Sequence, residues 1–118
     1  MELSLPEYTK TRYWCKSYPK GLPFDVAIPQ VSLPEFIEEA IGENHGRVAM
    51  LYGGEEITFD TLGNRIGYFA STLYGLGASK GETVALFLPN CPQFAIAYYG
   101  ALKIGAVVTA LSPLFMAP

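Results

Sequence analysis

The sequence holds few of the side chains that usually carry chemistry. Its 118 residues include one histidine, two cysteines and one tryptophan. Cys15 and Cys91 fit no metal-ligand spacing and no disulfide framework. Two free thiols suit a reducing compartment, so a cytoplasmic location is expected. Charge is scarce as well: 16% of residues are charged and the net charge is −3. Lysine and arginine form no stripe that could track phosphates, which argues against nucleic-acid binding. A membrane-spanning helix needs roughly 20 consecutive apolar residues. The longest run, Phe94 to Leu102, is fenced by Gln93 and Lys103 and falls short of that. The opening MELSLPEYTKTRYW lacks a basic patch followed by an apolar core, so it does not read as a secretory signal.

Phosphate-binding and nucleophile motifs are missing too. Lys80 is followed by Gly81 and Glu82, which completes no P-loop, and no GxSxG elbow occurs. Gly75, Gly77 and Gly81 follow a predicted helix rather than a strand, so they read as turn glycines and not as a dinucleotide loop. His45 reads as a surface residue near a helix end. Cys91 stands at a predicted helix N-terminus but reads as a small buried apolar side chain. Glu38, Glu39, Glu55 and Glu56 read as solvated charges, and Tyr98 and Tyr99 as packing aromatics. No residue is therefore assigned as catalytic, cofactor-binding or metal-binding.

What the chain does have is apolar residues, which make up half of it. Residues 1–31 read as an extended, proline-rich arm anchored by Tyr13, Trp14, Tyr18 and Phe24, because Pro19, Pro23 and Pro29 block regular elements. Residues 32–118 read as a partial α/β body. Ser32 and Glu35 form a capping box for a helix whose face is Leu33, Phe36, Ile37, Ala40 and Ile41, ending at Gly42 or Gly46. Arg47–Tyr52, the pair Gly53-Gly54 and Glu55–Thr58 predict a hairpin. Phe59, Leu62, Ile66, Phe69, Leu73 and Leu76 predict a long helix between Thr58 and Gly77. Thr83–Leu88 and Ala106–Leu111 read as parallel strands buried on both faces, joined by a helix capped by Asn90 or Cys91 with Pro92 in its first turn. This is the N-terminal portion of a doubly wound, mostly parallel sheet with flanking helices and a small hairpin. So small a sheet cannot cover its own edges and faces, so the expectation is a piece of a larger enzyme that self-associates when isolated.

Three blocks carry a resemblance. They are Ile57–Arg65 (ITFDTLGNR), Gly81–Phe94 (GETVALFLPNCPQF) and Ala101–Val108 (ALKIGAVV). In order and spacing they resemble the core motifs of the adenylate-forming superfamily of acyl- and aryl-CoA ligases, luciferases and nonribosomal adenylation domains. Tyr13–Pro23 (YWCKSYPKGLP) is similar to the leader of long- and medium-chain fatty-acid CoA ligases. Thr61, Gln93 and Ala110 depart from the residues usual in that family, which are Glu, Glu and Pro.

The resemblance implies a two-step reaction. A carboxylate attacks the α-phosphate of ATP to give an acyl-adenylate and pyrophosphate. The thiol of coenzyme A then displaces AMP to give a thioester. ATP, Mg²⁺, coenzyme A and a fatty acid are thereby implied for the full enzyme, with none of their ligands in this chain. The phosphate loop, the ribose-binding Asp and the mobile C-terminal domain with its Lys would follow residue 118. This chain would be an inactive scaffold whose partner is the remainder of its own polypeptide. Two rival readings remain on the residues alone: a complete, non-enzymatic α/β binding or interaction module, and a flavodoxin-like or Rossmann cofactor domain, which lacks its glycine fingerprint.

Overall fold

The computed structural model describes residues 12–23 and 25–114. These fall into two units, one ending at Gln30 and one beginning at Val31. In the first, a short 3-10 turn covers Tyr13–Ser17, a local helical step that the proline pattern did not reveal. Tyr13 and Trp14 meet edge to face at 5.4 Å, and Arg12 donates to Asp25 at 2.5 Å. Residues 1–11 and the expected anchor Phe24 lie outside the described residues.

The second unit is α/β. Its elements are α1 (Leu33–Glu43), β1 (Val48–Tyr52), β2 (Glu55–Thr58), α2 (Phe59–Gly75), β3 (Thr83–Phe87), α3 (Pro92–Lys103) and β4 (Val107–Leu111). The capping box of α1 is present: Ser32 Oγ accepts from the Glu35 N–H, and the Glu35 carboxylate accepts from the Ser32 N–H at 2.8 Å. The helix runs through Gly42 and ends at Asn44, so Gly42 is not its stop. Its inward face is also rotated from the expected one. Pro34, Ile37, Ala40 and Ile41 are half-buried, whereas Leu33 and Phe36 are exposed.

Gly53 and Gly54, both at positive φ (59° and 86°), turn the chain between β1 and β2 in the mirror-image geometry that suits a two-residue hairpin. The pair is antiparallel, with Tyr52 opposite Glu55 and Met50 opposite Ile57, and an irregularity between Val48 and Met50. α2 opens on Thr58, whose hydroxyl accepts from the Thr61 N–H at 3.2 Å. It closes in a Schellman motif: the Ala78 N–H donates to the Leu73 carbonyl and the Gly77 N–H to the Tyr74 carbonyl, with Gly77 at φ 96°. Leu62, Ile66 and Ala70 are its buried residues, while Leu76, expected on the core stripe, is 79% exposed.

β3 and β4 pair in parallel, Thr83 opposite Val107 through Phe87 opposite Leu111, with α3 as the crossover. Cys91, not Asn90, is the N-cap residue of α3, and its side chain makes no capping bond. α3 lies close against α2 at Gly100, where an added Cβ would come within 2.8 Å of Phe69 Cδ1 and 3.2 Å of the Ile66 carbonyl oxygen. One core cluster gathers Ile57, Leu62 and Ile66, with Ile41, Ala49, Met50, Ile96 and Tyr99 packed on it. Leu86, Ala97, Ala101 and Ala106 are also buried, and α3 packs on α2 and on both parallel strands.

The parallel strands correct the sequence reading in one respect. They are buried on a single face. Val84, Leu86 and Val108 are covered, whereas Ala85, Thr109, Phe87 (62% exposed), Val107 (54%) and Leu111 (48%) are open. The continuous apolar run is the signature of a two-sided burial, of which the described residues of this unit supply one side.

Candidate functional site

Two features of the second unit stand apart from ordinary core and surface. One is a groove where α1, α2 and α3 meet, with a volume of about 270 Å³. Its apolar wall includes Ile37, Ile41, Ile66 and Tyr99. Gly63 lets α1 and α2 close at one point, since a Cβ there would stand 3.0 Å from Ile41 Cγ2. Two polar ties bridge the helices around this groove. Asp60, in the first turn of α2, accepts from the Gly46 N–H at 2.6 Å and meets His45 Nδ1 at 2.5 Å. Lys103, in the last turn of α3, pairs with Glu38 of α1. The His45 hydrogen bond first, and then the Gly46 N–H, hold the Asp60 carboxyl below the usual carboxylate range. Both carboxylate oxygens of Asp60 are engaged in holding the α1–β1 connection, so the pair acts as a structural clasp.

The other feature is the open sheet face. Phe87 and Leu111 stand side by side in register, flanked by Ala85 and Thr109 and then by Val107. Beside the C-terminal ends of the strands lies a hollow of about 340 Å³ walled by Leu88, Pro89, Phe94, Ala110, Leu111 and Leu114 among others. The face is apolar and carries no cluster of chemical groups. It has the character of an interface.

His45 is at the surface but is joined to Asp60, a partner fifteen residues away that no local pattern announced. Glu39, Glu55 and Glu56 are exposed; Glu38 is exposed and holds Lys103 across a separation of 65 residues. Cys91 and Cys15 are half-buried thiols. Tyr98 stacks on Phe94 at 6.1 Å and meets Tyr99 edge-on at 5.6 Å, which makes the tyrosines packing elements of α3. Gly75 is the last residue of α2, Gly77 its C-terminal stop, and Gly81 lies in the loop before β3. Among the described residues no group of three or more His, Cys, Asp or Glu side chains could hold a metal ion, and no helix is long and apolar enough to cross a membrane.

Residues 37–118 match the family model described as AMP-binding enzyme. The chain is 37% identical over 106 residues to a long-chain-fatty-acid--CoA ligase of Yersinia pestis, covering 88% of this chain and 19% of that one. It is 31% identical over 102 residues to a long-chain-fatty-acid--CoA ligase of Bacillus subtilis, covering 86% and 18%. The chain thus spans less than a fifth of the length of these relatives. The N-terminal subdomain of NpsA from Klebsiella oxytoca superposes with a TM-score of 0.69 at 25% identity, over 71% of this chain and 22% of that one. The three motif blocks, the helix–hairpin–helix order and the parallel βαβ unit agree with these likenesses, and the chain belongs to the AMP-binding family of adenylate-forming enzymes.

Proposed function

We propose that this chain is the scaffold portion of an ATP-dependent fatty-acid CoA ligase, and that it has no ligase activity by itself. The observation that carries the reading is the open apolar face of β3 and β4, set in a chain that spans less than a fifth of its ligase relatives. Such a face suits the interior of a larger sheet layer.

The residues in hand do not fit the cofactors of the reaction. A Mg²⁺–nucleotide site needs oxygen ligands converging on the metal and backbone or cationic donors around the phosphates. The described residues offer no such acidic cluster, and the sequence has no phosphate loop. Lys103 is engaged with Glu38, and His45 with Asp60. On this reading ATP, Mg²⁺, coenzyme A and the fatty acid are held by the remainder of the parent polypeptide, and the catalytic groups lie there too.

The test is an assay of ATP–pyrophosphate exchange with fatty acid and Mg²⁺, run on residues 1–118 and on the protein encoded by a longer reading frame. The expected result is exchange by the longer protein and none by this chain. Turnover by residues 1–118 overturns the placement of the active site, and a longer protein that activates no carboxylate overturns the ligase reading.

A further inference from the structure

We propose that α1 is a separately opening flap over the α2–α3 surface, closed by a half-buried apolar face, by the hydrogen bonds to Asp60 and by the exposed Glu38–Lys103 ion pair, so that ionic strength sets how often it opens. This goes beyond the scaffold reading and does not depend on it.

No residue of α1 is fully buried, whereas α2 buries Leu62, Ile66 and Ala70, and α3 buries Ala97, Gly100 and Ala101. Its apolar residues are divided between two sides. Leu33 and Phe36 face solvent, and Ile37 and Ile41 line the groove of about 270 Å³. Helices of this length are held mainly by a buried face. Beneath α1 that face is replaced in part by an open groove, so Ile37 and Ile41 are only half-buried against α2 and α3. Ile41 alone joins the central cluster, at the point where Gly63 allows close approach.

Pro34, Ile37 and Ala40 add only half-buried apolar contact, and the remaining attachment is polar. Glu38 reaches Lys103 at the end of α3, and both side chains are about half exposed. At the other end of the helix, His45 and the Gly46 N–H reach Asp60. The Glu38–Lys103 pair is exposed, and ion pairs of this kind are weak and are screened by salt. Few buried apolar contacts and solvent-exposed polar ties mark segments that open below the global unfolding free energy. Opening would uncover Ile66 and Tyr99 while leaving α2, α3 and the parallel strands in place.

Hydrogen exchange followed by mass spectrometry tests this in residues 1–118. Amides 37–43 are compared with those of α2 and α3 at about 20 mM and about 0.5 M salt. The expected result is faster exchange in α1 at low salt and a further rise of up to about fivefold at high salt, with α2 and α3 unchanged. Glu38→Gln should raise α1 exchange by a similar factor and remove most of the salt response. Glu39→Gln makes the same change in charge without touching a tie, so it should leave α1 exchange as it was. Exchange of α1 at the rate of α2 and α3 under both conditions overturns the proposal. So does an identical effect of Glu38→Gln and Glu39→Gln.

Discussion

Single side chains in this molecule decide how closely its elements approach. Gly100 is the clearest case, because any Cβ there meets the Phe69 ring and the backbone of α2. Gly100→Ala should cost about 1–3 kcal/mol through overpacking, seen as a lower urea midpoint with an unchanged slope. Asp60 makes a second prediction. Its carboxyl is held below its ordinary value, so the charged form favours the folded state. That contribution is complete above the unfolded Asp value near pH 3.8 and fades as pH falls through the lower folded value. Asp60→Asn should be less stable than the unsubstituted chain at pH 7, and the two melting curves should converge near the bottom of the acid range. Parallel curves at every pH would show that the clasp contributes nothing.

At the scale of elements, short-range chemistry fixes the boundaries. Thr58→Ala should cost about 1 kcal/mol by removing the hydroxyl that caps α2, read from the same urea titrations. The capping box at Ser32, the double-glycine turn of the hairpin, the start of α2 and its stop at Gly77 were all legible, because each depends on residues within one turn of each other. The parallel pairing of β3 and β4 was legible from two apolar runs separated by a helical length. The buried stripe was read less well. Leu33, Phe36 and Leu76 continue the helical period but emerge into solvent, since the period records a face built for burial and cannot say what covers it. The pairs His45–Asp60 and Lys103–Glu38 were illegible because they join residues brought together only by the packing of separate helices. No motif spacing encodes them. The family motifs carried more information about function than any of these side chains, because their order along the chain marks the family.

For the whole molecule, the decisive quantity is uncovered apolar surface. Phe87 and Leu111 lie side by side on the open side of the parallel sheet, with Val107 exposed at the far end of the same face. Patches of this kind on small domains mark interfaces or drive association. On the opposite side of the same strands Leu86 is buried and Val84 and Val108 are half-buried. A sheet layer sealed on one side and bare on the other is a half-built core, consistent with a chain that corresponds to less than a fifth of its ligase relatives. Sedimentation velocity over a wide range of protein concentration, on the unsubstituted chain and on Phe87→Asp/Leu111→Asp, tests this account most directly. The account predicts concentration-dependent association for the unsubstituted chain and a single slow boundary for the doubly substituted one. An unsubstituted chain that sediments as a monomer throughout would contradict it.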